Sequence, residues 1–185
     1  MIKKNKLYLN KNVTRWHDII IHFGKNTNCG YWTRQNIDPN IEFKLDDTVF
    51  IDIGIVVNKN LEGDYGETYY GGNDMRVKNM IHTSRYLWHY GYKLWRNNLE
   101  TMTGVELYKL VSEECERCGY ILKPEIGASG HHVGIFLSAN SKLITHNDII
   151  KPNLWIFEIF VYDKEIDRGA FYENALMLEQ NDPKL

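Results

Sequence analysis

Nine residues from Leu154 to Tyr162 are aliphatic or aromatic with one exception, Glu158. β-branched and aromatic enrichment over that length predicts a buried strand. The same pattern recurs from Val49 to Val57 around Asp52, and from Ala170 to Leu178 around Glu173. A shorter strand, Tyr65 to Tyr70, is opened by Asp64 and is predicted to return as a hairpin partner of the Asp52 strand, across a turn at Asn58 to Gly63. Alternation sets Phe50, Asp52, Gly54 and Val56 on one face, and Val49, Ile51, Ile53, Ile55 and Val57 on the other. The odd-numbered set is expected to make core.

Trp16 to Phe23 predicts a first strand, and Gly24 to Asn40 a loop. The period then changes. Val77, Met80, Ile81, Ser84, Leu87, Trp88, Gly91, Leu94 and Trp95 recur at helical spacing, with Asp74 as N-cap and Asn97-Asn98 as the stop. Trp and Tyr on this helix are expected in the core, and His82 and His89 at the surface. A second helix starts at Thr103, where Glu106 completes a capping-box pattern, and Gly119 ends it. Its apolar face is Leu107, Leu110, Val111, Cys115 and Cys118. Gly127 to Gly134 is rich in Gly and His, and leads into Ile135-Phe136-Leu137 and a polar loop from Ser138 to Asn153. Residues 1–15 form an irregular segment with a short strand around Leu7 to Leu9, residues 16–179 one domain, and residues 180–185 a tail.

A chain of 185 residues suits a single domain. Its net charge of −2 and the absence of a Lys/Arg block argue against nucleic acid or an anionic membrane as partner. No apolar run is long enough to span a bilayer, and no signal peptide is expected. The cysteines Cys29, Cys115 and Cys118 are few and odd in number, which points to a reducing, cytoplasmic setting. Cys115 and Cys118 fall inside the helical pattern and are read as helix residues.

The chemistry lies in the interrupted strands. An ionised carboxylate among apolar neighbours is costly unless it is paired. No Arg or Lys stands in a matching position for Asp52, Asp64, Glu158 or Glu173. A metal centre is the economical answer. His131, in Gly130-His131-His132-Val133-Gly134, supplies an imidazole. Carboxylates with one imidazole suit Mn²⁺, Co²⁺, Fe²⁺ or Zn²⁺. Four carboxylates balance two divalent ions, which at a separation of about 3.5–4 Å can share a nucleophilic hydroxide. Glu67 is a further candidate, facing substrate or supporting the ligands.

In the order Asp, Asp, His, Glu, Glu these residues resemble the pita-bread metallopeptidases of the M24 type: methionine aminopeptidase, aminopeptidase P and prolidase. Phe50-Ile51-Asp52-Ile53-Gly54 and Gly63-Asp64-Tyr65-Gly66-Glu67-Thr68 look like that family's two aspartate motifs. Gly130-His131-His132-Val133-Gly134 is similar to its G-H-x-x-G, and Trp155-Ile156-Phe157-Glu158 and Gly169-Ala170-Phe171-Tyr172-Glu173-Asn174 resemble its glutamate strands. The likeness is nearest to a bacterial branch related to aminopeptidase P and covers roughly residues 16–179. It implies an α+β pita-bread fold, a curved and mainly antiparallel sheet backed by helices, with its N-terminal half abbreviated. It implies two metal ions, Mn²⁺ foremost. Asp52 would chelate one, Asp64 and Glu173 would bridge both, and His131 and Glu158 would hold the other. Glu158 would also take a proton from the attacking water. The implied activity is that of an Xaa-Pro aminopeptidase or dipeptidase acting on short peptides, a metal-bound hydroxide attacking the scissile carbonyl. The alternative is a metal-binding module without turnover.

Three departures from the family pattern stand out. A second histidine, expected about seven residues after His131, is replaced by Ser138. The histidine usually found upstream of the first aspartate is missing from residues 28–36, leaving His132 or His146 as substitutes. The two helices that normally precede the first aspartate have no room here. The outer sheet face they would cover is then apolar and bare, and a homo-oligomer, another chain or a further N-terminal segment is expected to cover it.

Overall fold

The computed structural model describes residues 13–59, 61–123, 129–134 and 142–178. The expected strand at Leu7 to Leu9, Ile135 to Leu137, Ser138 and the tail at 180–185 lie outside the described residues.

Two long hairpins carry the sheet. The first joins β3 (Thr48–Val57) to β4 (Leu61–Tyr70), the second β7 (Trp155–Asp163) to β8 (Arg168–Ala175). They meet where β4 pairs with β8. The outer edge of β3 takes two short strands, β1 (Val13–Arg15) and β2 (Ile20–Phe23). The outer edge of β7 likewise takes β5 (Ile121–Leu122) and β6 (Gly130–His132). All pairings among the described strands are antiparallel.

Two sequence expectations are corrected here. β4 begins at Leu61 rather than at Tyr65, because the chain turns tightly at Asn58 and Lys59, both at positive φ. Glu62, Gly63 and Asp64 are therefore strand residues. Of the expected strand from Trp16 to Phe23 only Ile20–Phe23 is strand, and a separate short strand, Val13–Arg15, lies within the segment expected to be irregular. Arg15 pairs with Ile55 and Ile20 with Asp52, so β1–β2 spends five steps where β3 spends three. The extra residues form a bulge at Trp16–Ile19, the kind of feature that re-aims side chains.

α1 (Met75–Asn97) and α2 (Gly104–Arg117) lie against one face of the second hairpin. Both begin where their caps predict: Asp74 accepts from the Arg76 N–H, and Thr103 Oγ1 from the Glu106 N–H. Met80, Leu87, Trp88 and Trp95 of α1 pack with Leu107, Val111 and Cys115 of α2 over Phe157, Ile159 and Val161. The indole N–H groups are satisfied at 3.0 Å, Trp88 on the Phe157 carbonyl and Trp95 on the Ile150 carbonyl. His82 and His89 are exposed, as expected.

The core assignment for β3 is reversed. Its even face buries Phe50 against Phe160 and Phe171, a small aromatic core beneath the carboxylates. Its odd face is the half-exposed one, with Ile53 40% accessible, and it continues in Tyr65 (42%) and Tyr69 (47%) of β4 and Ile21 (54%) of β2. Alternation separated the two faces correctly, but it carries no information about which face is covered. Between β2 and β3 only short 3-10 turns occur, Gly24–Asn28 and Tyr31–Asn36, and they do not amount to a helical layer.

Candidate metal centre

Register assembles the site. Asp52 on β3 pairs with Gly66 on β4, Gly66 pairs with Glu173 on β8, and Glu173 pairs with Glu158 on β7. Residues directly opposite in antiparallel strands point to the same face. One row across four strands therefore carries three carboxylates on the face away from the helices. Its fourth member has to be small. A Cβ at Gly66 would stand 2.4 Å from Phe171 Cε1 and 2.8 Å from Glu173 Oε1. Asp64, two residues before Gly66, shares its face and pairs with Gly54. His131 on β6 pairs with Ile156, two residues before Glu158, and so faces the same way. The five residues singled out from the sequence therefore converge.

His131 Nε2 lies 3.1 Å from Asp64 Oδ2 and 3.8 Å from Glu158 Oε1. Three more residues join them. The bulge after β1 drives Trp16 and His17 inward over Gly54, where a Cβ would fall 1.9 Å from Trp16 Nε1 and 2.6 Å from His17 Nε2. His17 Nε2 stands 3.3 Å from Asp52 Oδ1 and 3.7 Å from Asp64 Oδ1. Trp16 meets both imidazoles edge-on, with centroids 4.3 Å and 5.2 Å away. Glu62 accepts from the Gly134 N–H and places Oε1 3.9 Å from His131 Nδ1.

These groups press on one another. Burial, reinforced by the Asp64 and Asp52 charges and only partly offset by His131, lifts Glu158 from near 4.5 to about 7. Burial and the same crowd of anions push Glu173 well above the usual carboxylate range. Burial opposes charge on the two imidazoles as well, but the carboxylates prevail: Asp52 and Asp64 raise His17 to about 10, while Asp64 and Glu158 raise His131 to about 9. Asp64, although buried, is held below its usual value by His131 and His17. An excess of buried acids over bases is kept neutral here only by protons, or by cations in their place.

The donor set fits divalent cations. Asp52 Oδ1, Asp64 Oδ1, Glu62 Oε1 and Glu173 Oε1 are buried and accept no hydrogen bond. His17, Asp52 and Asp64 present donor atoms within 4.8 Å of one another, as do Glu62, Asp64 and His131. Oxygen-rich sets with imidazole are matched to first-row divalent metals.

The other candidates fall elsewhere. Glu67 lies on the opposite face of β4, where Arg85 on α1 reaches it at 2.6 Å, so it supports the helix contact and not the site. His132 and His146 both pack on Trp155, which belongs to the helix-side core, so neither replaces a site histidine. The upstream imidazole that does face the two aspartates is His17, outside residues 28–36. Sequence reasoning passed over it because it treated Trp16 to Phe23 as one flat strand. Glu62 was missed because that strand was started too late.

The model of metallopeptidase family M24 matches residues 1–180, and the chain belongs to that family. It has the family's α+β pita-bread fold. Among solved structures it is similar to methionine aminopeptidase from Rickettsia prowazekii, at 15% identity and a TM-score of 0.59, covering 84% of this chain and 67% of that one. It is similar also to the dipeptidase PepE from Mycobacterium ulcerans, at 14% identity and a TM-score of 0.60, covering 90% of this chain and 46% of that one. A third is X-prolyl aminopeptidase from Caenorhabditis elegans, described as a cytosolic enzyme with a di-nuclear active site. It shows 16% identity and a TM-score of 0.58, covering 90% of this chain and 27% of that one. The chain thus spans two thirds of the first and less than half of the others. No curated protein matches by sequence. Among the described residues no helix is long and apolar enough to cross a membrane.

Proposed function

We propose that the chain is a metal-dependent peptidase of short peptides, an Xaa-Pro aminopeptidase or dipeptidase. Two divalent ions, Mn²⁺ foremost, would be held by Asp52, Asp64, His131, Glu158 and Glu173. The observation that carries this reading is the cross-strand row Asp52–Gly66–Glu173–Glu158, which sets three carboxylates on one face and has a glycine where a side chain would collide with Glu173. When bound, the ions would supply an activated water and a Lewis acid for the peptide carbonyl. The protein's part is proton handling and orientation. Glu158, which burial raises in the metal-free protein, would take a proton from the attacking water and pass it on. The His132 carbonyl beside Nδ1 and Asp64 beside Nε2 orient the His131 ring.

The test is to strip the protein of metal, reload it with Mn²⁺ or Co²⁺, and offer Xaa-Pro and Met-leading peptides. Turnover is expected, and Glu158→Gln should lower kcat by about 10²–10⁴-fold. Tight metal binding with no cleavage of any short peptide would instead make the chain a binding module.

A further inference from the structure

We infer that His17 is a metal ligand, adding an imidazole to the end of the site formed by Asp52 and Asp64, so that each end of the centre carries one nitrogen donor. The inference rests on the metal-centre reading above and adds a residue to it.

Four features of the structure converge on this role. First, His17 Nδ1 lies 2.6 Å from the Asp18 carbonyl oxygen. A carbonyl only accepts, so Nδ1 carries the hydrogen, and in the neutral ring the Nε2 lone pair points at the two aspartates. An imidazole whose far nitrogen donates to a backbone carbonyl is the usual orientation of a metal-binding histidine. Second, the spacing fits. Nε2 is 3.3 Å and 3.7 Å from the Asp52 and Asp64 oxygens. Donors held about 2.0–2.2 Å from one tetrahedral ion stand roughly 3.3–3.6 Å apart.

Third, the acceptors await a cation. Asp64 has a side chain only 2% exposed, and its Oδ1, like that of Asp52, accepts no hydrogen bond. Two buried carboxylate oxygens facing one ring nitrogen call for a shared positive centre, a place that a proton fills in the metal-free protein and a divalent ion takes on binding. Fourth, the fold is shaped to deliver this ring. The bulge that splits β1 from β2 and the open space over Gly54 both serve to bring His17 in, and its side chain is left 4% exposed. Nitrogen at both ends also makes Co²⁺, Fe²⁺ and Zn²⁺ well matched to the site beside Mn²⁺.

The test uses metal-free full chain loaded with Co²⁺ and read by proton NMR in water. Each cobalt-bound imidazole with a retained ring N–H gives one strongly shifted signal that vanishes in D₂O. Two such signals are expected in the unaltered protein. His17→Gln should remove one and leave the other, and His131→Gln the reverse. His17→Gln should also weaken binding of one of the two ions at least about tenfold, since even loss of an outer partner of a ligand does that much. A single shifted signal in the unaltered protein, at full Co²⁺ occupancy, overturns the assignment while leaving the metal centre standing. No Co²⁺ uptake at all overturns the metal centre itself.

Discussion

The two halves of the sheet follow one plan and differ in their cover. Each half is a long hairpin with two short strands on its outer edge, and each gives two acids to the centre: Asp52 and Asp64 from β3–β4, Glu158 and Glu173 from β7–β8. Behind β7–β8 stand α1 and α2, and nearly every residue of β7 is buried. Behind β3 and β4, Ile53, Tyr65 and Tyr69 face outward. The inner face is equally built in both halves, because the Phe50–Phe160–Phe171 cluster spans them. The geometry of the acids therefore depends on strand register and the inner aromatic layer, and the outer helices stabilise one hairpin without being needed to aim the other.

That contrast can be broken experimentally. The largest effect is expected in the covered half. Trp95→Ala should destabilise by about 3–5 kcal/mol in chemical denaturation, since the ring is fully buried between helix and loop. Phe50→Ala, on the inner face of the bare half, should approach that loss. A negligible effect there would mean that the inner layer is not a core.

Glu173→Gln comes next. It should weaken metal binding at least about tenfold in calorimetry, yet raise the melting temperature of the metal-free protein, because it removes a buried acid crowded by three others. A lower melting temperature would contradict the crowding.

The pH dependence of the metal-free protein follows in size, and its sign is fixed. Glu158 and the two imidazoles all hold protons more tightly folded than unfolded. Folded stability from them is complete in mild acid. It declines between about pH 4.5 and 7 as Glu158 loses its proton, and again from about 6.5 to 9–10 as His131 and His17 do. Asp64 acts oppositely, its contribution disappearing only in strong acid. A scan of melting temperature should fall steadily from pH 5 to 9, and saturating metal should flatten or reverse the slope. A rise with pH in the stripped protein would show that the site is not proton-filled.

The smallest effect is expected at Ile53→Ser, within about 0.5 kcal/mol, as for an exposed side chain. A much larger loss, varying with protein concentration, would show that a second copy covers the outer face.

The sequence made much of this legible. Period and caps placed α1 and α2 to within a residue, since Asp74, Thr103 and Gly119 act through local hydrogen bonds and backbone angles. The four acids and one imidazole were recognisable because a charge inside an apolar strand needs a reason. Coverage of a face, by contrast, is a tertiary property, and Phe50 and Ile53 look equally apolar in a list. His17 escaped because its position depends on how many residues one strand spends against another, a quantity set by pairing across the sheet.

That pairing has one more consequence. The bulge contributes an even number of additional residues, so the in-and-out phase is the same before and after it: Arg15 and Ile21 both stay on the side of Ile55 and Ile51. Excising His17 and Asp18 together would let Trp16 and Ile19 close the gap opposite Gly54 and Ile53, with every downstream partner retained. Excising one alone would leave a one-residue bulge at the same place. Evolution or an engineer can thus add or discard this imidazole as a cassette, leaving the remainder of the sheet unaware of the change.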